Sequence, residues 1–187
     1  MPWNVPIALT LTRIVFIPVF GLLFLLEASW ANLATTAIFG LAAITDWLDG
    51  YLARRWNQTS AFGAFLDPVA DKLMVAVALV ALVELNPSAW MAVPAAVIIG
   101  REIAVSALRE WMAELGQRAS VAVGQVGKIK TTAQMAAILI LLFNQDLGPI
   151  PLQLIGMLLI YVAAALTLYS MVVYLRAAWV FLSPQRP

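Results

Sequence analysis

The sequence predicts an all-α integral membrane protein, a bundle of six transmembrane helices with a polar cavity that faces the cytoplasm. Of its 187 residues, 63% are hydrophobic and 11% are charged, whereas a soluble domain carries roughly 25% charged residues. The apolar stretches approach the roughly 20 residues that span a bilayer as a helix, and they lack the alternation of transmembrane β-strands. We expect a single domain over residues 1–187.

Six apolar stretches account for the predicted helices in chain order. They are Ile7–Leu26, Leu33–Tyr51, Val69–Val83, Trp90–Trp111, Val121–Phe143 and Leu152–Leu175. The breaks between them each begin at a charged residue or an asparagine, and they are Glu27–Trp30, Arg54–Leu66, Glu84–Ser88, Glu114–Ala119 and Asn144–Pro151.

The distribution of charge predicts the orientation in the membrane. The 11 Lys and Arg residues avoid the first, third and fifth connections, which contain Glu27, Glu84 and Asp146 instead. Cytoplasmic loops carry an excess of Lys and Arg, so we expect both termini and the even-numbered connections in the cytoplasm. No basic residue precedes the first apolar stretch, which argues against a cleaved signal peptide. The net charge of +1 gives no indication of nucleic-acid binding.

The absence of two residue types restricts the chemistry. The sequence contains no Cys and no His. This excludes disulfides, zinc sites of the Cys/His type, thiol nucleophiles and a histidine base. Any reaction must therefore use carboxylates, amines, guanidiniums and hydroxyls.

Four aspartates and their small neighbours form the densest polar group. At 100° per residue, a helix places five of these residues on one face: Asp46, Asp49, Gly50, Ala53 and Arg54. In the following segment, Gly63, Asp67 and Asp71 recur every four residues and share a face if that segment is helical. A polar cytoplasmic loop joins the two segments, so they can return antiparallel with their acidic faces opposed.

This acidic group predicts a divalent-cation site. Four neighbouring carboxylates repel one another unless some are protonated or cations neutralise them. Oxygen ligands without His or Cys suit Mg²⁺ or Mn²⁺, and bound Mg²⁺ commonly takes further ligands from phosphates. The small residues leave room for a ligand, and Arg54 can bind a phosphate with two hydrogen bonds. The alternative is close packing of small residues between helices, together with structural ion pairs.

The spacing of these residues is that of a known signature. From Asp46 to Asp71 the chain reads D-x2-D-G-x2-A-R-x8-G-x3-D-x3-D, which resembles in full the signature of the CDP-alcohol phosphotransferase family. The resemblance continues in Asn4–Arg13, Arg101–Glu110 and Gly127–Gln134. The segments that resemble proteobacterial members in particular are Asp46–Asp71 and Arg109–Gly116. One departure is Ile7, where many members carry Asn.

The resemblance implies a reaction and a setting. CDP-diacylglycerol and glycerol 3-phosphate would give phosphatidylglycerophosphate and CMP, toward phosphatidylglycerol and cardiolipin. A homodimer would lie among the lipids of the bacterial inner (cytoplasmic) membrane, with its active site open to the cytoplasm. Serine or inositol phosphate remains an alternative acceptor within the family. A cation transporter that uses the carboxylates, or a structural scaffold, is the alternative outside it.

The resemblance also implies residue roles on the donor side. Asp46, Asp49, Asp67 and Asp71 would hold two ions, Mg²⁺ or Mn²⁺, and Asp71 is the candidate general base for direct in-line attack. Arg54 would clamp the nucleotide phosphates. The other residues expected to contact CDP-diacylglycerol are Gly50, Ala53 and Gly63, Ser60 or Thr59, and Pro6 and Thr10 of the N-terminal segment.

The acceptor that the resemblance implies, glycerol 3-phosphate, would be a phosphate dianion and would need cations. The candidates are Arg109, Lys128, Lys130 and Arg101, with Arg118 as a weaker one. Arg101 and Arg109 are about 80° apart on a helix and can share a face, whereas Lys128 and Lys130 are about 200° apart. The alternative is that these residues are interfacial anchors whose charged ends reach water.

Overall fold

Six α-helices account for nearly all of the residues that the computed structural model describes, which are 5–56, 60–114 and 125–182. They are α1 (Val5–Phe24), α2 (Ala31–Trp56), α3 (Ala61–Leu85), α4 (Ala89–Glu114), α5 (Gln125–Phe143) and α6 (Leu152–Leu182). In these ranges no β-strand forms, and one isolated bridge pairs Leu147 with Ile150. The predicted all-α fold is confirmed.

Four of the helices are long and apolar enough to cross a membrane. These candidate spans are Ile7–Phe24, Ala31–Ala53, Ala89–Glu114 and Leu152–Arg176, and a shorter apolar helix covers Ile129–Phe143. The first, second, fourth and sixth predicted spans therefore correspond to helices of membrane-spanning length. Helices of this length and composition are typical of a membrane protein.

The predicted break Arg54–Leu66 begins where the second candidate span ends, at Ala53, but helix occupies most of it. Helix α2 continues to Trp56, and α3 begins at Ala61, ahead of the predicted span Val69–Val83. Hydropathy marks only the apolar part of a helix and leaves out its polar end. The side chain of Ser60 caps α3, and this local hydrogen bond sets the start of the helix.

The chain forms two compact units. Unit 1 comprises Met1–Asn86 and Ile138–Gln153, and unit 2 comprises Pro87–Ala137 and Leu154–Pro187. Helix α1 packs against both α2 and α3 within unit 1. The expectation of a single functional domain stays a prediction.

Polar and apolar residues in unit 1 are distributed as in a protein surrounded by lipid. Phe20 and Phe39 form part of its buried core, but the equally buried interior includes the side chains of Thr10 and Arg13. Large apolar side chains such as Leu22, 68% exposed, lie on the outside. Because hydrocarbon solvates apolar groups and leaves polar groups unsatisfied, polar residues of membrane helices turn inward.

Unit 2 shows the same distribution. Met91 and Ile98 of α4 are fully buried, and so is Ile160 of α6. Arg101 and Lys130 are also buried, although they are charged. Buried charges of this kind need partners and mark the positions where a membrane helix carries function.

Candidate functional site

Two polar residues of the apolar helix α1, Thr10 and Arg13, lie in the interior of unit 1. Both are 1% exposed, and a spacing of three residues puts them on the same side of the helix. Because a buried hydroxyl or guanidinium without a partner is costly, both depend on polar groups from other helices. The carboxylates of α2 and α3 supply them.

Arg13 contacts both aspartates of α2. Its Nη2 donates a hydrogen bond of 2.5 Å to Oδ2 of Asp49, and its Nη1 lies 2.9 Å from Oδ1 of Asp46. The side chain of Asp49 is 4% exposed and that of Asp46 is 48% exposed. Asp46 and Asp49 are three residues apart on α2, so one guanidinium reaches both.

The hydroxyl of Thr10 lies between the aspartates of α2 and α3. It donates a hydrogen bond of 2.5 Å to Oδ1 of Asp67 and lies 3.4 Å from Oδ2 of Asp49. A hydroxyl has one proton to donate, and the shorter distance assigns it to Asp67. Thr10 and Arg13 therefore bring three of the four predicted aspartates to one side of α1.

The fourth aspartate, Asp71, follows Asp67 by one turn of α3 and is half-buried. Because α3 already begins at Ala61, Gly63, Asp67 and Asp71 all lie on one helix. Their four-residue spacing then puts them on one side of it, as the sequence predicts. The role of Asp71 as general base stays a prediction.

The start of α3 is tightly packed around Gly63. The Oγ of Ser60 accepts a hydrogen bond of 2.9 Å from the backbone N–H of Gly63. A Cβ on Gly63 would lie 3.1 Å from that oxygen and 3.7 Å from Cγ1 of Ile7. Because Gly63 has no side chain, the Ser60 cap fits beside α1. The sequence predicted Gly63 only as a contact of CDP-diacylglycerol and did not predict this structural role.

Of the remaining residues predicted to contact CDP-diacylglycerol, the structure describes some and leaves others out. Gly50 and Ala53 are half-buried on α2. The side chains of Pro6 and Arg54, and the whole of Thr59, lie outside the described residues. The predicted contacts of all five with CDP-diacylglycerol stay predictions.

A second polar cluster lies within unit 2, around Glu102 of α4. Its Oε1 accepts hydrogen bonds from Nζ of Lys130 at 2.7 Å and from Nη1 of Arg101 at 2.9 Å. Arg101 also donates from Nη2 to Oγ of Ser170 on α6 at 3.0 Å. Two buried cations therefore share one carboxylate.

Tyr174 of α6 contacts both arginines of α4. Its hydroxyl accepts a hydrogen bond of 2.6 Å from Nη2 of Arg109. The Cζ atoms of Arg109 and Arg101 lie 4.9 Å and 5.8 Å from the centre of its ring, and such guanidinium–ring contacts are attractive. Arg101 and Arg109 thus share a face of α4, as their spacing predicts.

The unit 2 cluster carries an excess of positive charge. Arg101 and Lys130 share the carboxylate of Glu102, and Arg109 contacts the same Tyr174 ring as Arg101. Such an excess suits a phosphate, which guanidiniums bind with paired hydrogen bonds. The side chain of Lys128 and the whole of Arg118 lie outside the described residues, so their acceptor roles stay predictions.

Three residues of these clusters are not among the site residues predicted from the sequence: Arg13, Ser170 and Tyr174. A charge within an apolar span requires a partner, and this signal could have pointed to Arg13. Ser170 and Tyr174 are four residues apart on α6 and so lie on one side of it. Nothing local distinguishes them from the other polar residues of that apolar helix.

The acidic cluster of unit 1 offers ligand atoms of the type that a divalent cation binds. Its ligands would be carboxylate oxygens, which hard cations prefer, and the guanidinium of Arg13 provides a positive charge at Asp46 and Asp49. Within the described ranges, no group of three or more Asp, Glu, His or Cys side chains is close enough together to hold a metal ion. Asp46 and Asp49 pair with Arg13 instead, and Asp67 accepts the hydrogen bond of Thr10.

Comparison with known proteins identifies the family. Residues 3–180 match the model of the CDP-alcohol phosphatidyltransferases, and the chain belongs to this family. It is 54% identical over 178 residues to the CDP-diacylglycerol–glycerol-3-phosphate 3-phosphatidyltransferase of Escherichia coli (strain K12), covering 95% of this chain and 96% of the relative. The enzymes of the same name from Shigella flexneri serotype 5b (strain 8401) and Shigella boydii serotype 4 (strain Sb227) match with the same identity and coverage.

The comparison confirms the resemblance drawn from the aspartate signature. It identifies the protein as a transferase, since the family and the relatives are phosphatidyltransferases. Enzymes of this family generally depend on a divalent metal ion. The carboxylate chemistry of the unit 1 cluster fits this requirement.

Proposed function

We propose that this protein is a membrane phosphatidyltransferase that converts CDP-diacylglycerol and glycerol 3-phosphate to phosphatidylglycerophosphate and CMP. The observation that carries the proposal is the 54% identity, over 95% of the chain, to enzymes whose names state this donor and this acceptor. The two polar clusters support it, because one has an excess of carboxylates and the other an excess of cations.

The acidic cluster is the proposed binding site for the pyrophosphate of the donor. Asp46, Asp49, Asp67 and Asp71 would hold two divalent ions, Mg²⁺ or Mn²⁺. When bound, these ions would neutralise the pyrophosphate and stabilise the charge that develops on the departing CMP. Thr10 bonds to Asp67 and lies near Asp49, which brings aspartates of α2 and α3 together and supports this assignment.

The proposed reaction is a direct displacement at phosphorus. A hydroxyl oxygen of the acceptor forms a bond to the phosphorus that carries diacylglycerol. The bond from that phosphorus to the bridging oxygen breaks, and CMP leaves with this oxygen. Asp71 takes the proton of the acceptor hydroxyl. Because an aspartate is a weak base, orientation and electrostatic stabilisation supply most of the barrier lowering.

The nucleotide end of the donor is proposed to lie along the signature segment. Arg54 would clamp its phosphates, and Ser60 would donate a hydrogen bond, since capping occupies only an acceptor site of its Oγ. Space for the cytidine would come from the small residues of the signature. The remaining proposed contacts are Gly50, Ala53, Gly63, Pro6 and Thr10.

The basic cluster of unit 2 is the proposed site for the acceptor phosphate. Arg101, Arg109 and Lys130 carry more positive charge than Glu102 balances. With Lys128, they would bind the dianionic phosphate of glycerol 3-phosphate. Serine lacks such a phosphate, so a strongly basic site favours glycerol 3-phosphate over it.

The setting of the enzyme is also a proposal. The chain would act as a single catalytic domain over residues 1–187 and as a homodimer in the bacterial inner membrane, surrounded by lipids. Both termini and a polar cavity with the active site would face the cytoplasm, because basic residues avoid the first, third and fifth connections.

An acceptor panel tests the proposed function. Purified protein in detergent is given CDP-diacylglycerol and Mg²⁺ with glycerol 3-phosphate, serine or inositol phosphate, and CMP release is measured. We expect CMP only with glycerol 3-phosphate. Release with serine or inositol phosphate alone would contradict the acceptor assignment. Metal-dependent ion flux in liposomes without CMP formation would instead support a transporter.

A further inference from the structure

We infer that Arg13 is the counter-ion of the Asp46–Asp49 pair in the metal-free protein, and that a divalent cation must displace its guanidinium in order to bind there. The inference rests on the proposed function in one respect, because it takes these aspartates as metal ligands. It does not depend on which acceptor is used.

The guanidinium of Arg13 contacts carboxylate oxygens that would be ligands of a metal ion. Nη2 of Arg13 is hydrogen-bonded to Oδ2 of Asp49 at 2.5 Å, and Nη1 is 2.9 Å from Oδ1 of Asp46. A cation bound to both carboxylates would compete for these oxygens and would repel the guanidinium at short range. Arg13 and a metal ion therefore compete for these two carboxylate oxygens.

Burial explains why Arg13 remains at the pair when no metal is bound. Arg13 is 1% exposed, and the side chain of Asp49 is 4% exposed. Removing one partner of a buried ion pair is strongly destabilising, because the other charge is left uncompensated. The pair thus stabilises the metal-free protein.

The pairing leaves part of the guanidinium unsatisfied. Nε of Arg13 is buried without a hydrogen-bond partner among the described residues, and Nη1 approaches Asp46 without hydrogen-bond geometry. Unpaired buried donors weaken an interaction, so the pairing is of a kind that a divalent cation can replace. The displaced guanidinium retains its N–H donors for an anion such as a phosphate.

A Mn²⁺ titration without substrates tests the inference. Full-length protein in detergent is titrated, and free Mn²⁺ is measured by electron paramagnetic resonance. Removal of the competing charge in Arg13→Gln is expected to tighten Mn²⁺ binding at least tenfold. The matched control is Arg55→Gln, which makes the same change of charge at an exposed arginine bonded to Tyr51. We expect the Mn²⁺ affinity of this control to stay within about twofold of that of wild type.

Thermal unfolding provides a second measurement, which can be made even if Arg13→Gln is less stable than wild type. We expect Arg13→Gln to unfold at lower temperature than wild type in EDTA and to regain more stability than wild type on addition of Mn²⁺. If Arg13→Gln cannot be purified, Arg13→Lys replaces it, since a single ammonium cannot reproduce the fork of a guanidinium. We expect a severalfold tighter Mn²⁺ affinity for that variant.

Equal or weaker Mn²⁺ binding by the Arg13 variants would overturn the inference and would show that Arg13 supports the metal ligands rather than competing with a metal. Failure of the proposed function has a different signature. It would leave all proteins without CMP release in the acceptor panel, while the Mn²⁺ titration would still report on Arg13.

Discussion

The hydroxyl of Tyr174 accepts a hydrogen bond of 2.6 Å from Nη2 of Arg109, and the ring of the same residue lies 4.9 Å from the guanidinium carbon. Arg109 is exposed, whereas Tyr174 is buried. A buried aromatic side chain of α6 therefore holds the end of a long and otherwise mobile side chain of α4. This ordering reduces the entropy that Arg109 would lose on binding an anion.

The first prediction concerns this hydrogen bond. In Tyr174→Phe the ring remains and the acceptor for Arg109 is lost. A hydrogen bond to a charged group contributes about 1.5–3 kcal/mol, so the KM for glycerol 3-phosphate should rise by about tenfold or more. The KM for CDP-diacylglycerol should stay unchanged in the same steady-state assay. The control is Tyr169→Phe on the exposed part of α6, and an equal rise of both KM values would contradict the acceptor role.

The second prediction concerns the carboxylate shared by Arg101 and Lys130. In Glu102→Gln both buried cations lose their counter-charge, so the melting temperature should fall. Glycerol 3-phosphate or inorganic phosphate should raise the melting temperature of this variant more than that of wild type, because an anion restores the missing charge. Glu110→Gln, at an exposed position of the same helix, is the control. An unchanged response to phosphate would argue against an anion site here.

The third prediction concerns the hydroxyl of Thr10. Thr10→Val removes the donor to Asp67 and should lower the free energy of unfolding by about 1–3 kcal/mol. Thr10→Ser keeps the hydroxyl and should recover most of the loss. Thr12→Val is the matched control, because Thr12 is exposed and bonds only to the carbonyl of Ala8 among its described contacts. Chemical unfolding in detergent provides the measurement, and equal effects at both positions would refute the assignment.

The fourth prediction concerns the packing at Gly63. In Gly63→Ala the added Cβ would lie 3.1 Å from Oγ of Ser60, so the cap must shift and the protein should lose about 1 kcal/mol of stability. At Gly21, where a Cβ would meet nothing within 4 Å, the same substitution should raise stability by about 0.5–1 kcal/mol. Thermal unfolding of both variants provides the comparison. A stabilised Gly63→Ala would show that the cap adapts without cost.

The fifth prediction separates chemistry from binding. Asp71→Asn should reduce CMP release by roughly 10²–10⁴-fold, because the amide cannot take the acceptor proton. Binding of CDP-diacylglycerol, measured at equilibrium with labelled lipid, should remain detectable. Glu84→Gln, at the opposite and exposed end of α3, should leave turnover unchanged. Substantial CMP release by Asp71→Asn would rule out Asp71 as the base.

The sequence predicted most of the helical architecture because its signals are local. A run of apolar residues, a break at Glu27 and a four-residue repeat of aspartates are each contained within one helix or one connection. The helix ends near the signature were less predictable. Hydropathy placed a long break at Arg54–Leu66, whereas the side chain of Ser60 starts α3 inside that break.

The sequence by itself determined the membrane character, the helices, the family and the acidic signature of this protein. Only the tertiary structure decided which charges meet. Arg13 reaches Asp49 across 36 residues of chain, and Arg109 reaches Tyr174 across 65. Composition and periodicity describe one helix at a time, whereas the cost of burying a charge is met by whichever partner the packing of other helices brings within hydrogen-bonding distance.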